Sequence, residues 1–214
     1  MSVTLKNYNM MRGLSTRIHT TGFEPENLKT TTSETPLEYM PTDNAYYIKG
    51  PMGKGLQLKP TGVQVAFCAG TGALVFLDLV SALLIKNCFE RDGRKLPEGI
   101  DFFEEGFEFH LYCSFADRET AIGLDLIEML QNVCAKLNLT NFKATVRLAK
   151  SDGAPKPPRW NTEFIEEQLK PHDGKIERVW VCGPPAMNQL FDEGLESLNK
   201  SNRLSLSQDR IEIM

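Results

Sequence analysis

Val63–Val80, VQVAFCAGTGALVFLDLV, reads as a strand, a glycine turn and the opening of a helix. Val63, Val65, Phe67 and Cys68 form a β-favouring run, Gly70-Thr71-Gly72 interrupts it, and an apolar stretch of helical character begins at Ala73. Two glycines let the backbone turn sharply and come close to a ligand, and the amides that open a helix favour an anion. A diphosphate is the natural guest of such a turn. The full dinucleotide fingerprint carries a third glycine where this chain has Val75, which predicts looser packing of helix on strand than in the ordinary unit. Taken alone, the turn is equally compatible with a tight strand-to-helix connection that binds nothing.

Downstream, strands and helices alternate. Phe107–Phe115 (FEFHLYCSF) places Phe107, Phe109, Leu111 and Cys113 on one face of a strand. Arg118–Leu137 has helical spacing, Lys143–Leu148 reads as a strand, Thr162–Leu169 as a short amphipathic helix and Val179–Cys182 as an apolar strand. Pro185 suits the first turn of a last helix running through Leu198, and Asp209–Met214 suits an edge strand. Glu90–Gly106, with its glycines, proline and acidic residues, reads as an insertion. This order predicts an α/β fold with a mostly parallel sheet, helices on both faces, and ligands at the carboxyl ends of the strands.

Upstream the texture differs. Ser2–Tyr8 reads as a strand, residues 11–18 as a turn into a short helix, and Thr20–Asp43 as a long surface loop or poorly ordered linker. Ala45–Lys49 reads as a strand entering the glycine-rich turn Gly50–Gly55, which is not a nucleotide P-loop because no Ser or Thr follows Lys54. Two regions are therefore expected, residues 1–60 and 61–214, the first resembling the end of a domain.

The chain has 214 residues and a net charge of −4, so it offers no basic field for nucleic acid or anionic lipid. The longest apolar run, Ala73–Ile85, is interrupted by Asp78 and is too short to cross a bilayer, and the N-terminus lacks the apolar core of a secretory signal. Neither a membrane span nor secretion is expected. Cys68, Cys88, Cys113, Cys134 and Cys182 are odd in number and fall within expected strands and helices, which suits reduced thiols in a cytoplasmic or mitochondrial compartment. His19, His110 and His172 are far apart in sequence, and no Cys/His spacing suggests a metal.

Three segments follow directly on expected strands: Ala69–Ala73, Ser114–Arg118 and Gly183–Met187. With Gly50-Pro51-Met52-Gly53-Lys54-Gly55 upstream, the series Cys68-Ala69-Gly70-Thr71-Gly72-Ala73 and Cys182-Gly183-Pro184-Pro185-Ala186-Met187 resembles, in order and spacing, the ferredoxin-NADP reductase superfamily. The likeness is greatest to its cytochrome b5 reductase, nitrate reductase and ferric reductase/NADPH oxidase branches. It covers residues 45–214 well and residues 1–20 loosely.

The resemblance implies that Gly70, Thr71, Gly72 and Ala73 form the turn holding the pyrophosphate and nicotinamide ribose. It also implies that Cys182, Gly183, Pro184, Pro185 and Met187 form a segment whose cysteine lies beside nicotinamide C4 and helps place the hydride. Such a cysteine orients and need not be a nucleophile; by its chemistry alone it reads as a buried thiol at a strand end. Ser114 and Arg118 lie where the adenosine ribose would sit. A Ser/Arg pair there favours NADPH, whereas an acidic residue such as the neighbouring Asp117 favours NADH, and both remain open. Arg118 reads equally as a solvated residue at a helix start.

The complete family module has an N-terminal FAD-binding barrel carrying an R-x-Y-S/T segment, and no such segment lies upstream of Gly50. Gly13-Leu14-Ser15-Thr16 resembles the family's next flavin motif, and Gly13, Ser15, Thr16 and Gly53 are the flavin-side candidates; a surface helix cap is the equal alternative for the first three. Many members finish with an aromatic residue near the flavin, whereas the last residue here is Met214. The expectation is thus a remnant of an antiparallel FAD-binding barrel followed by an NAD(P)H-binding domain. That domain would pass hydride to FAD and electrons onward to a haem, ferric or other acceptor, which could be a partner protein or a membrane complex. If the barrel is truly absent the chain is inactive alone, with FAD held by a missing segment or a partner chain. The alternative is a non-catalytic structural or nucleotide-binding subunit of a larger complex, for which the 20–43 loop and the acidic insertion at Glu98–Glu108 would suit docking. On this reading a β-branched residue at position 72 weakens nucleotide binding with little loss of secondary structure.

Overall fold

The computed structural model describes residues 55–149 and 160–214, together with three short strands upstream. The chain divides between Gln57 and Leu58 into two compact units. In the first, β1 (Leu28–Lys29), β2 (Leu37–Tyr39) and β3 (Tyr46–Ile48) form an antiparallel sheet in that order. β1 and β2 fall inside the segment expected to be loop. The segment has no period long enough to mark strands of two and three residues, which pairing rather than local pattern defines. The strand and helix expected at residues 2–8 and 11–18, and the candidates Gly13, Ser15, Thr16 and Gly53, lie outside the described residues.

The second unit is built on five strands: β4 (Gly62–Ala69), β5 (Phe107–Phe115), β6 (Phe142–Leu148), β7 (Ile176–Cys182) and β8 (Ile211–Ile213). Their order across the sheet is β6-β5-β4-β7-β8 and every neighbouring pair is parallel. Four helices make the crossovers: α1 (Leu74–Arg91), α2 (Leu124–Leu137), α3 (Thr162–Leu169) and α4 (Pro185–Lys200). α1 and α2 pack together over one face, with Phe76 of α1 against Phe109 and Trp180 at ring separations of 6.2 and 6.0 Å. α3 and α4 cover the other, where Ile165, Leu169, Phe191, Leu195 and Leu198 close over Val63, Val65, Phe67 and Val179. Phe67 stacks on Tyr112 at 4.9 Å within that layer. Each such fully buried side chain contributes on the order of 2 kcal/mol, so the doubly covered sheet carries most of this unit's stability. The expected α/β architecture is present. In β5 both faces are buried, since His110 and Tyr112 are covered as well as the alternating apolar set.

Three details depart from the sequence reading. α2 begins at Leu124 rather than near Arg118, because Gly123 takes φ 76° and the preceding residues turn back through hydrogen bonds from Thr120 to Asp117. Val75 does not lie between helix and strand: the helix enters through a 3-10 turn at Gly70–Ala73, which rotates Val75 outward to 40% exposure and buries Ala73 and Phe76 instead. The continuous helical segment Gly70–Arg91 spans 22 residues and contains an 18-residue stretch of mean hydropathy 1.8, so by length and composition it is apolar enough to cross a membrane, contrary to expectation. Asp78 is exposed on it, while Phe76, Leu79, Val80 and Leu83 are buried.

Candidate functional site

In a parallel sheet, strand order fixes where a crevice opens. β4 is central, α1 leaves its carboxyl end over one face, and α4 leaves the adjacent β7 over the other. The two chains diverge at a topological switch point, where open α/β sheets bind their ligands. Cys68 of β4 is in register with Cys182 of β7 and with Cys113 of β5, so the residues after Cys68 and Cys182 meet at this point.

The glycine turn has two distinct surfaces. Gly70 has φ 56°, the left-handed region, and a Cβ built on it would find no atom within 4 Å, so the turn is open to the exterior there. Gly72 is buried, and a Cβ built on it would overlap the carbonyl oxygen of Cys182 and lie 3.2 Å from its Sγ. The glycine segment and the cysteine segment, more than a hundred residues apart, are therefore in direct contact. Thr71 is half-buried between them in sequence, and Ala73 is fully buried. No side chain caps the turn at Ala69, nor α4 at Pro184. Two uncapped helix starts thus stand at one end of the sheet, each turning the positive end of a helix dipole toward an anion; the glycine turn adds backbone N–H groups, whereas Pro184 and Pro185 at the start of α4 carry none.

Pro185 occupies the first turn of α4, and Met187 N–H donates to the Pro184 carbonyl at 2.9 Å. Pro184 and Pro185 are exposed, whereas Met187 is half-buried, packs on the core and sits where a Cβ of Gly183 would collide with its sulfur. Cys182 is half-buried and burial pushes its thiol above the ordinary value, so it is neutral near pH 7. Next to it in the sheet, the Cys68 and Cys113 sulfurs are 3.3 Å apart; the hydrogen bond to Cys113, then burial, raises the Cys68 thiol well above its ordinary range. Cys68 and Cys113 are fully buried, so of the three only Cys182 can face a ligand, and its neutral thiol suits orientation rather than nucleophilic attack.

At the end of β5, half-buried Ser114 is in register with Ala69 on one side and Arg147 on the other. Arg118 is exposed and places a two-pronged ion pair on Glu128 at 2.9 and 2.7 Å. The Asp117 carboxylate accepts from the Thr120 amide at 2.9 Å and hydroxyl at 2.6 Å. Both charged candidates therefore have internal partners. Sequence reading missed Arg147, which is only 8% exposed and whose guanidinium carbon lies 5.2 Å from the Trp160 ring and 5.1 Å from the Phe164 ring. Burial lowers its pKa. An arginine in the carboxyl half of a strand, with aromatic residues downstream, was the available signal; the 3.6-residue period of α3 gave no sign that Phe164 would reach it.

No protein-family profile and no curated protein matches the chain. Solved structures do. The CS-b5R domains of human Ncb5or, in the NAD+ form, align with TM-score 0.53 at 16% identity, over 77% of this chain and 39% of that one. The cytochrome b5 reductase domain of Ulva prolifera nitrate reductase aligns with TM-score 0.48 at 12% identity, over 72% of this chain and 49% of that one. Ferredoxin-NADP+ reductase from Plasmodium falciparum with 2′P-AMP aligns with TM-score 0.48 at 13% identity, over 79% and 58%. The chain thus spans less than two thirds of each. The first of these likenesses shows the fold alone: an α/β unit built on a five-stranded parallel sheet.

Proposed function

We propose that the chain is the pyridine-nucleotide-binding part of an FAD-dependent oxidoreductase. The observation that carries this reading is the contact of Gly72 with Cys182, which joins the glycine turn and the Cys182–Met187 segment into one site at the switch point. The room above Gly70 and the uncapped helix start fit a diphosphate. Gly70, Thr71 and Gly72 would hold it through backbone amides, with the helix dipole offsetting its charge. Gly183 and Pro184 would border the nicotinamide ribose, and the Cys182 thiol, neutral and fixed by the sheet, would limit the positions open to the nicotinamide ring. Nicotinamide, when bound, supplies a hydride at C4 and FAD its acceptor at N5. Ser114 would face the adenosine ribose, and Arg118 would reach a 2′-phosphate on release from Glu128.

FAD would be held by the region that includes Gly13, Ser15, Thr16 and Gly53, completed by a preceding segment or a partner chain, and electrons would pass to an acceptor protein or complex. Titration of the purified chain with NADH and NADPH, followed by nicotinamide fluorescence, tests the first step, and bleaching of added FAD tests the second. Nucleotide binding without bleaching assigns the chain to the nucleotide-binding half of a divided enzyme. Absence of binding at millimolar concentration refutes the proposal in favour of a non-catalytic subunit.

A further inference from the structure

At the other end of the same sheet, Glu108 and His110 are two residues apart on β5 and so point to one face, the face covered by α3 and α4. α3 runs into a 3-10 turn, Lys170–His172, which brings His172 onto that face with its ring centroid 4.4 Å from that of His110. One ligand atom from each of Glu108, His110 and His172 lies within 4.8 Å of the others. We propose that these three residues bind a single divalent transition-metal cation, of the zinc type, that clamps the beginning of β5 to the turn leading into β7.

The geometry and the chemistry agree. Glu108 Oε2 and His110 Nε2 are 3.2 Å apart. Two ligands on a tetrahedral centre with bonds of about 2.0–2.1 Å stand about 3.3 Å from each other, so this edge is already set. His172 is half-buried at the end of its turn and closes the third side by rotation of its own side chain, leaving a fourth position for water. Two imidazoles and one carboxylate select borderline cations over Ca2+ or Mg2+, which prefer oxygen alone. His110 is 6% exposed, and its two ring nitrogens have one partner between them: Nδ1 is buried with none.

Two cations lie nearby. Lys143, in register with His110, is exposed and opposes a metal through solvent, while Lys170 is engaged by Asp173 at 3.0 Å. His110 stands four residues before Ser114, about 13 Å along the strand. The cation would thus support the sheet from the end away from the glycine turn and take no part in hydride transfer.

Cobalt(II) tests this on the purified, metal-free full chain, because its visible bands report four-coordinate geometry and a thiolate ligand adds an intense near-ultraviolet band. One equivalent should bind with four-coordinate bands, no thiolate band and a raised melting temperature. His172→Ala and Glu108→Gln should each weaken binding by at least about tenfold while leaving the metal-free melting temperature close to that of the parent. The proposal is overturned by lack of saturable binding, by a thiolate band, or by His172→Ala binding cobalt as tightly as the parent.

Discussion

Gly70 and Gly72 look alike in sequence and do different work. Both read as close-approach glycines, but for different reasons: the Cβ position of Gly70 opens to empty space while that of Gly72 is filled by the Cys182 backbone. To the expectation that a β-branched residue at 72 weakens nucleotide binding with little loss of secondary structure, this contact adds a cost in stability. Gly72→Val must push β7 away from the helix start, and overpacking of this kind costs about 1–3 kcal/mol or more. A lowered midpoint in thermal or urea unfolding is the expected outcome, and an unchanged midpoint would mean that the two segments are not in contact. Cys182→Ser keeps the size of the side chain, so nucleotide affinity should change little while hydride transfer to added FAD slows. Because the thiol is neutral, the rate should show no step attributable to Cys182 between pH 6 and 8. The positions of these residues were legible from the motifs; the packing role of Gly72 was not, because it depends on a strand more than a hundred residues away.

At the scale of elements, regular structure was read well wherever period and punctuation agreed. α3 falls at Thr162–Leu169 and α4 starts at Pro185, where a helix cap and a first-turn proline fix the local geometry. α2 was read too long because the spacing of its apolar residues continues through the turn that Gly123 imposes. That turn holds Arg118 against Glu128, and the contact suggests a selective probe. Arg118→Ala should leave the melting temperature nearly unchanged, as for most exposed pairs, and weaken NADPH more than NADH if the arginine serves a 2′-phosphate. Equal losses for both nucleotides would remove Arg118 from the site.

The ionisable groups inside the layers set a pH window. His110 has a lowered pKa through burial, so the unfolded chain takes up the proton first and stability falls as pH drops below about 6.5. Burial raises Tyr112 to about 12 and Cys68 is also raised, so the unfolded chain loses these protons first and stability falls as pH rises above about 9. Urea midpoints measured from pH 5 to 11 should therefore peak between these limits in the metal-free protein. The pairing of His110 with His172 was invisible in sequence, because a strand and a turn that are remote along the chain create it.

For the molecule as a whole, the α/β unit has its own two-sided core, with Val63, Phe67, Phe109 and Trp180 buried between helix layers. A fragment comprising residues 58–214 should fold cooperatively by itself and melt close to the full chain, as circular dichroism would show. The central claim is that a nucleotide diphosphate rests on the turn at Gly70. Asparagine and aspartate both tolerate the left-handed conformation there, have nearly the same shape and differ by one negative charge. The most direct measurement is therefore a fluorescence titration of the parent chain, Gly70→Asn and Gly70→Asp with NADH and NADPH. The parent is predicted to bind, and Gly70→Asp to bind at least about tenfold more weakly than Gly70→Asn at equal thermal stability. Equal affinity of the two variants, or no binding by the parent, would contradict it.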